Sequence, residues 1–74
     1  MYNYKNFGNI LREIRLSKNM SQEQFADNIV NIKYYGKIER SECSPTLKIL
    51  FKICNMYNIT LTEIDEMFRN NTNR

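Results

Sequence analysis

The stretch Ser21-Gln22-Glu23-Gln24-Phe25-Ala26-Asp27-Asn28-Ile29-Val30-Asn31-Ile32-Lys33-Tyr34-Tyr35-Gly36-Lys37-Ile38-Glu39 decides the fold. Ser21 and Gln24 have the spacing of a capping box, in which each side chain satisfies the other residue's backbone N–H. Met20 and Phe25 flank that cap at hydrophobic-staple positions. Asn31 opens a second helix as its N-cap, with Val30 and Tyr35 as the next staple. Tyr35 and Ile38 then turn inward, and Ile32, Lys33, Tyr34 and Lys37 face out or sideways. Gly36, inside that helix, costs about 1 kcal/mol against alanine, so another contact or a close approach has to hold the segment. Two short capped helices joined by a tight turn, the second with an uncommitted polar face, suit insertion into the DNA major groove. The first helix's N-terminus, beside Gln22, offers free N–H groups and a dipole to a phosphate.

Outward from this unit the pattern stays helical. Phe7, Ile10, Leu11 and Ile14 form one helical stripe, which predicts helix 1 over about residues 6–18. Ala26, the one alanine in the chain, marks a close helix approach on the inward face of helix 2. Ser44-Pro45 predicts the start of helix 4, with serine as N-cap and proline at the first helical position. That helix is apolar almost all round: Leu47, Leu50, Phe51, Cys54 and Tyr57 form one stripe, and Ile49, Ile53 and Met56 form another. It is therefore expected to run centrally through the bundle. Thr60 and Glu63 form a second capping box, with Ile59 and Ile64 as its staple, and open helix 5. Residues 70–74 are polar and are expected to fray.

Composition narrows the function classes. The chain has 74 residues, no histidine, two glycines, one proline and two cysteines. That length holds one small domain and leaves little room for a deep substrate cavity. Without histidine there is no Ser-His-Asp or Cys-His catalysis and no Cys/His zinc finger. Cys43 is expected in a loop and Cys54 in the core, both as free thiols. With no leader ahead of them and no apolar run near the roughly 18 residues of a membrane span, a cytoplasmic protein is expected. Metal and cofactor are both expected to be absent. Among the acids, Glu63 is expected to cap a helix and Glu66 to be solvated, and the sequence identifies no proton-transfer group to work with Asp65, so no enzyme is expected. The net charge is +3, and residues 1–41 hold seven bases against four acids while the remainder balances. The excess sits with the helix pair, where nucleic acid is one reason for it and ordinary surface variation another.

The sequence resembles the lambda-repressor-like, Cro-type helix-turn-helix domains, also called the xenobiotic-response-element type. The matching segments are Ile10 to Arg15, Met20 to Ala26, Tyr34 to Arg40, Ser44 to Leu47, Leu50 to Cys54 and Asn58 to Ile64. The resemblance covers about residues 7–68. The resemblance implies an all-α fold, a compact five-helix domain over residues 1–69 with the helix-turn-helix at helices 2 and 3. It implies that Gln22 clamps a phosphate, and that Asn31, Ile32, Lys33 and Tyr34 face base edges or flanking phosphates. Lys37 reaches bases or phosphate, and Arg40 and Ser41 lie near the DNA backbone. Arg15 and Glu39 resemble the family's structural ion pair. The chain departs from the pattern between Ala26 and Tyr35, nine positions where the family has ten. The usual turn glycine is missing too, and Asn28 or Asn31 is expected to supply a left-handed conformation in its place.

These readings point to a sequence-specific regulator, repressor or controller in type, that binds double-stranded DNA at a palindromic operator as a homodimer. Met67 and Phe68 either cap the core or are exposed; exposure is the preferred reading, and with Leu61 they form the expected dimer patch. The alternative is an antitoxin-like module that uses the same fold to bind a protein partner.

Overall fold

The computed structural model describes residues 7–72, and among them forms five helices and no strand. The helices are α1 (Phe7–Ser17), α2 (Gln22–Ala26), α3 (Ile32–Glu39), α4 (Leu47–Tyr57) and α5 (Leu61–Thr72). Met1 to Asn6, Asn73 and Arg74 lie outside the described residues, and with them the expected first residue of helix 1 and the end of the polar tail.

Local chemistry sets most of the boundaries. The Ser21 hydroxyl accepts from Gln24 N at 3.1 Å and the Gln24 side chain accepts from Ser21 N at 2.8 Å, closing the capping box. Asn31 Oδ1 accepts from Lys33 N at 2.8 Å and starts α3. Thr60 Oγ1 accepts from Glu63 N at 3.1 Å, and Glu63 Oε1 accepts from Thr60 N at 3.1 Å. The turn between α2 and α3 is made by Asn28 at φ 64°, while Asn31 stays extended. Ile29 N and Val30 N both donate to the Ala26 carbonyl. The missing position is thus absorbed by a five-residue α2 and a turn on one left-handed asparagine, a residue that tolerates this conformation.

Two boundaries differ from expectation. The N-cap of α4 is Thr46, whose hydroxyl accepts from Ile49 N at 3.2 Å, so Ser44 and Pro45 precede the helix. Helix α5 runs on to Thr72, because polar residues without glycine or proline do not break a helix.

The core gathers Ile10, Leu11 and Ile14 of α1 with Phe25 and Ala26 of α2. Ile29 and, from α3, Tyr35 and Ile38 join them, as do Ile53 of α4 and Ile64 and Phe68 of α5. Tyr57 stacks on Phe25 with ring centroids 4.4 Å apart, and its hydroxyl donates to the Phe25 carbonyl at 2.7 Å. That bond satisfies a carbonyl left open by the short α2. Gly8 brings α1 onto the end of α3: a Cβ there would lie 2.5 Å from the carbonyl oxygens of both Ile38 and Glu39. Helix α4 is not the enclosed central helix that its composition suggests. Leu50 and Ile53 are buried, but Leu47 is 64% exposed and Phe51 49%. The five short helices leave no element to cover that outer side. Cys43 and Cys54 are free and both half-buried, so Cys54 sits at the core's edge. Burial and the nearby Glu63 raise its thiol pKa.

Candidate nucleic-acid interface

Helix α3 is fixed from beneath by a polar network. Arg15 Nε donates to Glu39 Oε2 at 2.7 Å and Arg15 Nη2 to Glu39 Oε1 at 3.2 Å, a two-pronged pair with side chains only 13% and 4% exposed. Arg15 Nη1 also donates to the Met20 carbonyl at 2.9 Å, tying the α1–α2 connection to the same point. Gln22 Nε2 donates to Glu39 Oε1 at 3.1 Å. Burial alone would raise the Glu39 carboxyl. Hydrogen bonds from Arg15 and Gln22, the adjoining Tyr35 hydroxyl and the guanidinium charge together outweigh it and hold the group below its ordinary range. The buried Tyr35 hydroxyl adjoins this pair without a well-formed hydrogen bond, and its ionisation is pushed far up, first by burial and then by the Glu39 carboxylate. One carboxylate therefore holds α1, α2 and α3 in fixed relation.

The opposite side of α3 faces solvent. At about 100° per residue, Ile32, Gly36 and Arg40 fall on one line along the helix, with Lys33 and Lys37 on the next. These five residues and Gln22 line one open depression of about 430 Å³. It is a shallow groove with a short apolar wall, three cations and the Gln22 amide.

Five of the residues assigned to DNA contact meet there: Gln22, Ile32, Lys33, Lys37 and Arg40. Gln22 does so with its amide nitrogen engaged by Glu39, so it braces α3 as well as lining the groove. The other three lie outside that lining. The Asn31 carbonyl oxygen is spent on the α3 cap. Tyr34 is half-buried and its hydroxyl donates to the Ser44 carbonyl at 3.4 Å. Ser41 is left-handed at φ 63°, in the turn that closes α3. The N-terminus of α2 is less inviting to an anion than its sequence suggests. Glu23 and Asp27 line an open depression there with Ser21 and Gln24, and Ser21 already takes the Gln24 N–H.

Of the expected dimer patch, Phe68 is displaced. It is 5% exposed and packs edge-on against Phe7 with centroids 4.6 Å apart, because the last apolar turn of α5 completes the core. Met67 is partly buried against the core, and Leu61 is exposed. The sequence reading gave Gly8 and Glu42 no role and placed Tyr57 only in the apolar stripe of α4. Their partners lie far along the chain or, for Glu42, on a neighbouring turn. Glu42 receives a hydrogen bond from Arg40 Nε. That bond, with the charges of Arg40 and Lys37, lowers its carboxyl pKa against a small desolvation cost.

Residues 11–64 match the sequence model of a family described as helix-turn-helix. No curated protein matches the chain. No helix of the described residues is long and apolar enough to cross a membrane.

Proposed function

The chain belongs to the lambda-repressor-like helix-turn-helix family of DNA-binding regulators, and from that premise we propose that it is a sequence-specific transcriptional regulator of the repressor or controller type. It sets α3 in the major groove of double-stranded DNA and binds a palindromic operator as a homodimer. The observation that carries this reading is the outer face of α3. Lys33, Lys37 and Arg40 stand there beside Ile32 in one open groove, while Arg15 neutralises Glu39 beneath it. The cations attract phosphates, and a helix with its polar face outward has the width of the groove. Regulation follows from occupancy of the operator. Each protomer reads one half-site, with half-sites about one helical turn apart. Leu61, exposed at the start of α5, is the residue of the expected patch that remains open to the second protomer.

Selection from randomised duplexes, followed by fluorescence anisotropy across a salt series, tests the proposal. An enriched palindrome is expected, with log affinity falling against log salt at about −0.9 per phosphate contact. Replacing Lys33 and Lys37 together by alanine should abolish binding and leave the helical circular dichroism intact. No enriched site and no binding at low salt would overturn the proposal. Leu61→Asp should give a monomer by light scattering, and a variant that stays dimeric places the contact elsewhere.

The exposed Leu47 and Phe51 on α4 favour a second reading, an antitoxin-like module that binds a protein partner. A stable heteropartner on purification, with no DNA shift, would select it.

A further inference from the structure

Gly36 occupies the middle of the outward line of α3 and yet is buried. What covers it is the side chain of Arg40, one turn on, together with Gln22. A Cβ built at Gly36 would stand 3.0 Å from Arg40 Nη1 and 3.7 Å from Gln22 Oε1. The guanidinium therefore lies back along α3, over bare backbone, at the centre of the reading face. Glu42 holds it there by accepting from Nε. The backbone supports that position of Glu42, since Glu42 N donates to the Lys37 carbonyl at 2.8 Å.

We infer that Arg40 is a base-reading residue rather than a backbone contact, that it takes a guanine through its two Nη groups, and that Gly36 and Glu42 are the residues that position it. This rests on the DNA-binding reading of α3 given above. Two Nη donors on a planar fork match the O6 and N7 acceptors that guanine presents in the major groove. A carboxylate on Nε fixes the plane of the fork and leaves the Nη edge for the base. An arginine braced in this way loses less side-chain freedom on binding than a swinging one. The placement also accounts for a glycine in the interior of a short helix, where alanine would favour the helix. A Cβ at position 36 would press on the Nη1 end of the guanidinium and oblige it to shift by a few tenths of an ångström from its place on the face.

The test uses the full chain and the half-site obtained from randomised duplexes. Each base pair of the half-site is replaced singly, and affinities are measured for the wild type and for Arg40→Ala, Glu42→Gln and Gly36→Ala. The wild type should lose about tenfold or more when one particular G·C pair is replaced. Arg40→Ala should abolish discrimination at that pair alone and keep the other preferences. Gly36→Ala should fold at least as well by circular dichroism and still lose discrimination at the same pair. Glu42→Gln should weaken that discrimination, although removing an acid strengthens overall attraction to DNA. In an Arg40→Ala background neither of the other changes should affect that pair further. If Arg40→Ala lowers affinity equally for all sequences and flattens the salt dependence by about one phosphate, Arg40 is a backbone contact and the inference fails while DNA binding stands. If the wild type binds no duplex at low salt, the DNA-binding reading fails as well.

Discussion

Replacing Glu39 by alanine should come close to unfolding this protein. The carboxylate is 4% exposed and receives bonds from Arg15 and Gln22, so its loss leaves a guanidinium that is only 13% exposed without its counter-charge. Breaking a buried pair by removing one partner costs about 3–5 kcal/mol. A chain of 74 residues has a total stability of roughly 4–11 kcal/mol at typical values per residue. The loss is thus about a quarter of the stability or more. In urea, with a slope of about 1 kcal/mol per molar for a small domain, the midpoint should fall by roughly 3–5 M. Arg15→Met with Glu39→Leu should recover most of that loss, because an apolar pair of similar volume often replaces a buried ion pair at little cost. The pH dependence carries the same signature. The folded Glu39 carboxyl sits below its ordinary 4.5, so its contribution is complete above pH 4.5 and is lost as pH falls through the folded value. Glu39→Gln should lack that part of the acid transition. A cost below about 1 kcal/mol for Glu39→Ala, the value of an exposed pair, would refute the argument.

Three further outcomes follow from packing and backbone. Gly8→Ala should destabilise by about 1–3 kcal/mol, since its Cβ would meet two α3 carbonyl oxygens at 2.5 Å and backbone cannot yield as a side chain does; thermal unfolding measures it, and an unchanged midpoint would refute the α1–α3 contact. Ser41→Gly should stabilise by about 0.5–1 kcal/mol, because the left-handed φ of 63° strains serine by more than glycine's added freedom costs; a loss of stability in urea would count against it. Phe68→Ala should cost about 3–5 kcal/mol as a core truncation, and denaturation will separate this from a dimer-specific effect, which would leave the unfolding of the monomer unchanged.

Local rules were enough wherever the deciding partners lie within one turn. The capping boxes at Ser21 and Thr60 each span four residues and the Asn31 cap three, and the sequence states both members of each. Asn28 could be narrowed to one of two asparagines, and tertiary closure chose between them. Thr46 shows the limit. Ser44, Pro45 and Thr46 each suit a helix start, and only the placement of Ile49 N under Thr46 Oγ1 selects the last. The enclosure of α4, expected from its stripes, and the exposure of Phe68, expected from its place near the end of the domain, both differ for one shared reason. A stripe says which residues share a side, but it does not say whether another helix reaches that side. Phe7 reaches Phe68, whereas nothing among the described residues covers Leu47.

The same distinction separates the two halves of the proposed DNA face. Lys33 and Lys37 were legible because an exposed cation on a helix points outward wherever the helix sits. Arg40 was not, because a long side chain at a helix end can swing toward a phosphate or fold back over the helix. What decides is the residue one turn earlier and the acid two residues later. Glycine at 36 removes the obstacle, and Glu42 supplies the counter-charge on Nε. Neither is informative alone: an interior glycine reads as a local cost, and an Arg-x-Glu spacing reads as an ordinary surface pair. Together they place a planar donor at the centre of the face, between the Gln22 amide and the two lysines. The reading surface is therefore made jointly by α3 and by the closing turn after it.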